Sequence, residues 1–223
     1  LHNVPEHNLY TSLYSTPIPT LNLNESSLRA RRDRIRECLG IQKSSKVVAF
    51  FGKLIPKKNP RLLLESIQYM SSELKNKVHI MYVGSGPLFG DLKNYSAFTN
   101  NLYRVSTCFT GFINQKELFD YYLAADILVL PSQQSGETWG LVVNEALYAG
   151  CSVAVSNHVG CSSDFAHLAR FEVFPASSAR LLAASIEKLS KHTRDFYWAQ
   201  EELRSYSVEE SVKEIVNVYH RLP

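Results

Sequence analysis

The chain has 223 residues, of which 45% are hydrophobic, 20% are charged and 11% are aromatic, with a formal net charge of +3. The apolar fraction is typical of a globular protein and excludes a disordered, collagen-like or low-complexity chain. The small net charge does not indicate nucleic-acid binding, and no stretch approaches the roughly 20 apolar residues of a membrane-spanning helix.

The chain opens with a stretch that has no sustained hydrophobic period. Residues 1–24 are rich in proline, asparagine, serine and threonine, which is typical of a linker. We expect them to form an irregular lead-in, and we expect the folded domain to occupy residues 25–223.

A dense basic run follows in the segment LRARRDRIRECLG. Leu28, Ile35 and Leu39 recur at helical spacing, so this segment is predicted to be an amphipathic helix. The run consists of Arg29, Arg31, Arg32, Arg34 and Arg36. We expect these arginines to form a solvated helix face; contact with an anionic membrane surface is the alternative.

From Lys46 onward, short apolar or β-branched runs alternate with helical patterns. The strand-like runs are KVVAFFG, VHIMYVG, the region around RVSTCFTGF, DILVLP and CSVAVS. The helical patterns cover residues 60–70, 88–98, 115–124 and 140–149. This alternation predicts an α/β fold: a doubly wound, Rossmann-like parallel sheet with helices on both faces. The tail, from about residue 179, is predicted to add helices over 179–191, 194–206 and 208–222.

The turns that follow the strands are the candidate sites, because ligands of open parallel sheets bind beyond the carboxyl ends of the strands. The first turn, FFGKLIPKKNP, carries Gly52 and three lysines, Lys53, Lys57 and Lys58. Cations beside a helix N-terminus favour phosphate binding, although an ordinary exposed loop is also rich in lysine. This turn alone leaves both interpretations open.

Two further turns carry glycines. The segment VGSGP, residues 83–87, allows a tight turn with close backbone approach, but it does not complete the dinucleotide-binding fingerprint. The segment FTGFI, residues 109–113, places a glycine between aromatic residues and either accepts a planar base or packs in the core. Neither turn is specific in isolation.

The fourth turn lies in PSQQSGETWGLVVNEALYAG and is the most informative. Glu137 precedes a predicted helix that starts near Gly140, and Glu145 lies in its second turn. The free amides of Gly140, Leu141 and Val142 lie between the two acids. Such a helix start is suited to a diphosphate on its amides and to sugar hydroxyls on its carboxylates.

The cysteines show no pattern of metal ligation. The four of them form no C-x-x-C pair, and no histidines stand beside them at metal-ligand spacing. Scattered single cysteines are typical of a reducing compartment, so we expect a cytoplasmic protein.

Taken together, the four turns resemble the donor-binding half of a GT-B glycosyltransferase, and more narrowly the retaining glycosyltransferase family 4, the glycosyl transferases group 1. FFGKLIPKKN resembles the family's G-R-L-x-x-x-K-G segment, VGSGP its G-x-G-P loop, and FTGFINQKELFDYYLAADILVLPS its stretch leading into the active site. ETWGLVVNE matches the family's Glu-x7-Glu motif. The similarity covers residues 40–175.

The resemblance implies a role for each matching residue. Glu137 would bind hydroxyls of the donor sugar, Glu145 the ribose of the nucleotide, and Lys58 the diphosphate. Lys53 replaces the usual arginine, which keeps the charge but loses the bidentate geometry. The implied catalytic residues are Glu137, Lys58 and Lys53. The implied donor-binding residues are Gly52, Gly84, Gly86, Ile113, Glu137, Thr138, Trp139, Gly140, Leu141, Val142 and Glu145.

The chain also departs from the family pattern at two places. Asn59 replaces the usual glycine after Lys58, a change that a turn-like backbone tolerates. The segment HLARFEVFPASSA lacks the glycine and the Gly-Asp step that usually follow the motif.

The resemblance further implies an activity: transfer of a hexosyl group from a nucleotide sugar to a saccharide or lipid-linked acceptor, with retention of configuration. We expect no metal and no cofactor, because lysines and helix amides would carry the charge and the sequence has no Asp-x-Asp motif. Peripheral contact with a membrane fits a lipid-linked acceptor. The nucleotide, the sugar and the acceptor stay open.

The length of the chain is that of half a GT-B enzyme. A complete member has an N-terminal domain that holds the acceptor, and HNVPEH resembles the segment between the two domains. We therefore expect the chain alone to be inactive. The alternative is a non-catalytic nucleotide-sugar-binding or scaffolding module, which the reading frame upstream of Leu1 would distinguish.

Overall fold

A computed structural model of the chain describes Tyr10 and residues 12–17, 23–134 and 137–220. Its centre is a sheet of six parallel strands in the order β3-β2-β1-β4-β5-β6. The strands are β1 (Lys46–Phe51), β2 (Val78–Val83), β3 (Ser106–Phe109), β4 (Ile127–Leu130), β5 (Ser152–Ser156) and β6 (Phe171–Phe174). The predicted doubly wound α/β fold is confirmed.

Helices cover both faces of the sheet and follow the strands in alternation. The α-helices are α1 (Glu25–Cys38), α2 (Arg61–Ser66), α3 (Ser72–Lys75), α4 (Phe89–Tyr103), α5 (Gln115–Ala124), α6 (Leu141–Tyr148), α7 (Ser162–Phe165), α8 (Ala179–Ser190) and α9 (Val208–Tyr219). Side-chain caps begin several of them: the Asn114 carboxamide accepts from the backbone of α5, and Ser178 and Ser207 cap α8 and α9. None of the helices in the described ranges is long and apolar enough to cross a bilayer.

Successive strand residues point alternately into two hydrophobic cores, one on each face of the sheet. On one face, Val47, Ala49 and Phe51 of β1 pack with residues of α1, α5 and α6. On the other face, Val48 and Phe50 pack with residues of α2 and α8. Both faces are therefore buried, which explains why the strand runs lack polar alternation.

The strand order reverses between β1 and β4, and this reversal positions the site. Chain connections run from β1 outward to β2 and β3 on one side, and from β4 outward to β5 and β6 on the other. The turns after β1 and β4 thus diverge and leave a crevice at the carboxyl ends of these two strands. Gly52 and Lys53 follow β1 there, and the loop with Glu137 follows β4.

Two elements differ from the sequence-based expectation. The edge strand β6 was not predicted, because FEVF offers only four residues and has a charged Glu172 within it. The predicted helix over 194–206 is wrong: only Arg204–Tyr206 forms a short 3₁₀ turn. Arg194 instead donates hydrogen bonds to the carbonyls of Ala125 and Ala149, so tertiary contacts override the helical pattern.

The expectation of a solvated arginine face on α1 holds for Arg29 and Arg34, which are exposed, but is wrong for Arg32 and Arg36. The Arg36 side chain is 2% exposed and that of Arg32 is 13% exposed, and both pair with Asp126. Arg31 and Arg34 pair with Asp120 of α5. The arginines face α5 because its last carbonyls accept hydrogen bonds from them, and because Asp120 and Asp126 supply the negative charge. These acceptors replace the water that would bind solvated arginines.

Asp126, just before β4, is the centre of this network. Its carboxylate accepts from Arg32 at 2.9 Å, from Arg36 at 2.7 Å and from the Val47 amide of β1 at 2.7 Å. Burial alone would raise the pKa of Asp126, but Arg32, Arg36 and Arg194 with the Val47 amide lower it to about 2. The carboxylate therefore stays charged in the folded protein at neutral pH and in mild acid.

We expect Asp126→Asn to lower the free energy of unfolding by about 3–5 kcal/mol, because it leaves buried guanidinium groups without a counterion. The folded pKa lies below the unfolded value of about 3.9, so the contribution is complete above about pH 4 and is lost as the pH falls through about 2. Urea unfolding at pH 7 and over this acidic window measures both effects.

The matched control is Glu25→Gln, which removes the exposed Arg29–Glu25 pair of the same helix. We expect this change to alter stability by less than about 1 kcal/mol. An Asp126→Asn variant as stable as the control would contradict the role given to the network.

Candidate functional site

The floor of the candidate site is built from glycines at the ends of β1 and β2. Gly52 and Gly84 adopt φ values of 137° and 138°, and a Cβ on Gly84 would lie 2.0 Å from the Gly52 carbonyl oxygen. A Cβ on Gly86 would lie 2.5 Å from the carbonyl oxygen of Leu54. The two loops are thus in backbone contact, and a side chain at Gly84 or Gly86 would prevent that contact.

The lysine-rich loop after β1 positions one of its cations over this floor. Pro56–Lys58 forms a 3₁₀ turn that Asn59 ends at φ 46°, the turn-like conformation expected for the residue that replaces glycine. The Lys58 ammonium lies above Gly52, within 3.3 Å of where a Cβ on that glycine would stand. Lys53 and Lys57 are exposed.

Lys58 and Glu137, both predicted catalytic residues, form an ion pair. Their Nζ and Oε2 atoms are 3.0 Å apart, and each side chain is 15% exposed. The loop that carries Glu137 is fixed by a backbone bridge to Val159 and by Gly160, where a Cβ would lie 1.8 Å from the Thr138 carbonyl oxygen. Ser135 and Gly136 of this loop lie outside the described residues.

Helix α6 starts next to this ion pair. Gly140 adopts φ 103° and is buried against Leu130 and Val159, which leaves no room for a larger residue without a shift. The first amides of the helix, those of Leu141 and Val142, have no acceptor within an α-helix. With Lys58 nearby, the helix start offers positive charge and donors to an anion.

Glu145, one turn further along α6, is held by two residues of α5. The Tyr122 hydroxyl donates to Glu145 Oε2 at 2.7 Å, and the side-chain amide of Gln115 donates to Glu145 Oε1 at 3.2 Å. Burial and the neighbouring Glu145 raise the pKa of Tyr122 well above its usual value, so this phenol is a donor at neutral pH.

Two clefts meet at these residues. The first has a volume of about 250 Å³ and lies over the glycine floor; Gly52, Lys53, Gly84, Ile113 and Val142 are the predicted residues that line it. The second, about 330 Å³, is lined by Glu145 together with Arg31 and Lys116. The residues common to both are Gln115, Leu118 and Tyr122.

The remaining predicted residues lie at the margin or away from the clefts. Thr138 and Leu141 are exposed, whereas the Trp139 ring stacks on Tyr14 at 5.0 Å and donates to Asn144. Trp139 therefore packs the loop against the lead-in rather than lining either cleft.

Sequence reasoning missed several lining residues, above all Phe112, Gln115, Leu118 and Tyr122. Phe112 lies in the FTGFI turn and Tyr122 in the apolar period of α5, but nothing in either pattern distinguishes a residue that lines a cleft from one in the core. Within the described part of the chain, no three His, Cys, Asp or Glu side chains converge as metal ligands do.

Comparison with known proteins identifies the family. The pattern of the family described as Glycosyl transferases group 1 matches residues 31–207. The chain belongs to this family. The resemblance seen in the sequence motifs is confirmed. The matched region contains the first cleft, the Lys58–Glu137 pair and all of the second cleft's lining except Pro17.

Two curated relatives illustrate the family's range. The alpha-monoglucosyldiacylglycerol synthase of Streptococcus pneumoniae is 33% identical over 119 residues, which cover 53% of this chain and 26% of the relative. A D-inositol 3-phosphate glycosyltransferase of Thermobispora bispora is 28% identical over 178 residues, which cover 77% of this chain and 41% of the relative. The chain thus spans less than half the length of each.

Solved structures show the same fold. HepE of Anabaena, crystallised with UDP and glucose, matches with a TM-score of 0.73 at 20% identity over 93% of this chain and 55% of HepE. WaaG, a glycosyltransferase involved in lipopolysaccharide biosynthesis, matches with a TM-score of 0.69 at 18% identity over 92% of this chain and 54% of WaaG. At these identities the likeness shows the fold alone: one half of a GT-B architecture.

We expect Gly84→Ala to lower the free energy of unfolding by at least about 1–3 kcal/mol, because its Cβ would overlap the Gly52 carbonyl and the residue would keep a strained φ. Gly90→Ala is the control, since nothing lies within 4 Å of its added Cβ in the first turn of α4. Thermal unfolding of both variants compares them. Equal melting temperatures for Gly84→Ala and the parent would contradict the close contact of the two loops.

Proposed function

We propose that the chain is the nucleotide-sugar-binding domain of a retaining glycosyltransferase, which transfers a hexosyl group from a nucleoside-diphosphate sugar to a saccharide or lipid-linked acceptor. The Lys58–Glu137 ion pair beside the start of α6 is the observation that carries this proposal. It brings a cation, free amides and a carboxylate together at the carboxyl ends of β1 and β4, where open α/β sheets bind ligands.

The chemistry of the crevice fits the parts of a nucleotide sugar. Lys58 and the amides of Leu141 and Val142 suit the diphosphate, because both phosphates carry negative charge. Glu137 suits hydroxyls of the sugar, and Glu145 those of the ribose. The mostly apolar cleft lined by Phe112 and Ile113 suits a planar base.

Known complexes support the class of donor. HepE of Anabaena has been crystallised with UDP and glucose and also with UDP-glucose, and this chain aligns with it over 93% of its length. The names of the curated relatives place glycolipids and an inositol phosphate among the family's substrates and products. A uridine nucleotide is therefore the first donor to test.

In the proposed reaction, the bond between the anomeric carbon and the terminal phosphate oxygen breaks, and its electron pair stays on the departing nucleoside diphosphate. The acceptor oxygen bonds to the anomeric carbon on the same face of the sugar, which retains the configuration, and its proton passes to the phosphate oxygen of the departing nucleoside diphosphate. Negative charge grows on the leaving phosphate, so Lys58, Lys53 and the α6 amides bind the transition state more strongly than the ground state. We propose that these cations carry out this task without a metal.

In the same proposal, the acceptor is bound by a part of the protein that lies outside this chain. The relatives extend well beyond the matched region, and the lead-in would connect the domain to a preceding one. The HNVPEH segment, on which that connection was inferred, lies outside the described residues. The chain by itself would bind the donor but not transfer the sugar, and we place it in the cytoplasm, at a membrane surface when the acceptor is lipid-linked.

The proposal predicts different effects for the two members of the ion pair. Lys58→Ala removes the cation and leaves the Glu137 charge near the diphosphate, so we expect at least a tenfold loss in affinity for both UDP and UDP-glucose. Glu137→Ala removes the sugar contact and the ion-pair partner of Lys58, which stays free to bind phosphate, so the affinity for UDP-glucose should fall while that for UDP does not. Isothermal titration calorimetry with both ligands measures these affinities.

Lys57→Ala is the control, because this exposed lysine lies in the same 3₁₀ turn and pairs with nothing in the described chain. We expect it to leave both affinities within about twofold of the parent. Failure of the folded parent to bind UDP, GDP and ADP sugars alike would overturn the proposed function. Equal losses for UDP and UDP-glucose in Glu137→Ala would overturn the role of that carboxylate.

A further inference from the structure

The Tyr122 side chain reaches the site from inside the core. The residue is 1% exposed, and its ring stacks on Phe51 of β1 at 4.0 Å with an angle of 19° between the planes. The hydroxyl at the end of this ring is the atom that donates to Glu145 Oε2 at 2.7 Å. The phenol is thus fixed by the sheet, and its bond fixes one oxygen of Glu145.

Gln115 fixes the other oxygen. This residue is the first of α5, behind the Asn114 cap, and its amide donates to Glu145 Oε1 at 3.2 Å. An ionised carboxylate accepts about four hydrogen bonds, two at each oxygen. One acceptor position on each Glu145 oxygen therefore remains for a ligand, in an orientation that Tyr122 and Gln115 define.

We propose that Tyr122 and Gln115 are positioning residues that orient the Glu145 carboxylate toward two neighbouring hydroxyls of a ribose, and so make the site selective for ribonucleotides over deoxyribonucleotides. The inference rests on the proposed function, which assigns the ribose to Glu145. A carboxylate with one free position on each oxygen matches a vicinal diol, and acidic residues bind ribose hydroxyls in other nucleotide sites of α/β sheets.

The location of the three residues favours this role over a purely structural link between α5 and α6. Glu145 remains partly exposed and lines the second cleft, and Gln115 and Tyr122 line both clefts. The Tyr122 backbone and ring already have other contacts: its carbonyl accepts from the Cys151 thiol, and its ring packs on Phe51. The hydroxyl is thus not needed to hold α5 in place.

The test compares UDP with 2′,3′-dideoxy-UDP, which keeps the base and the diphosphate but lacks both hydroxyls. Calorimetry gives the ratio of the two affinities for the parent chain, Tyr122→Phe and Gln115→Ala. We expect the parent to prefer UDP, and we expect Tyr122→Phe to reduce that preference roughly fivefold to tenfold with little change for the dideoxy ligand. Gln115→Ala should reduce it in the same direction, by less, because its bond is longer.

Tyr121→Phe is the matched control, since it removes a hydroxyl one residue away on α5 that has no hydrogen-bond partner among the described residues. It should leave the preference unchanged. A Tyr122→Phe variant that weakens both ligands equally, or that keeps the parent's preference, would overturn the inference while leaving the proposed function intact. If Tyr122→Phe fails to fold, the same comparison with Gln115→Ala decides. A parent chain that binds neither ligand would overturn the proposed function and the inference with it.

Discussion

A single buried carboxylate, that of Asp126, joins α1, β1 and β4 at the amino end of the sheet. It accepts from two arginines of α1 and from a backbone amide of β1, and its own carbonyl accepts from Ser152 at the start of β5. These contacts connect α1 to the start of β4 and link the central strands β1, β4 and β5. This charged network lies at the amino end of the sheet, so few of the ion pairs that stabilise the fold lie in the turns at the carboxyl end.

At that other end, the order of the strands brings together residues that are distant in the sequence. The glycine loops after β1 and β2 touch through their backbones, and Lys58 stands above them within reach of Glu137 from the loop after β4. Helix α5 supplies the donors that orient Glu145 on α6. The site is thus a product of the reversal between β1 and β4, which no single segment contains.

The sequence alone predicted the parallel sheet, five of its strands and most of the helices, because apolar runs and helical periods are local signals. It was insufficient where tertiary contacts decide: Arg32 and Arg36 look solvated until Asp126 is near, and residues 194–206 look helical until Arg194 finds the carbonyls of Ala125 and Ala149. At the candidate site, motif spacing singled out Lys58, Glu137 and Glu145; the structure pairs the first two and binds the third to α5, and their roles stay a prediction. Motif spacing could not identify Tyr122, because its ring packs in the core and only its hydroxyl faces the site. It also could not show that Trp139 packs on Tyr14.

The most direct test of the account is to map where UDP contacts the chain, by following the backbone amide resonances of the ¹⁵N-labelled protein during a titration. We expect the largest shifts at Gly52, Ile113, Leu141 and Val142, at the carboxyl ends of β1, β3 and β4. Shifts confined to the opposite end of the sheet, around Lys46, Lys77 and Lys191, or no shifts at saturating UDP, would contradict it.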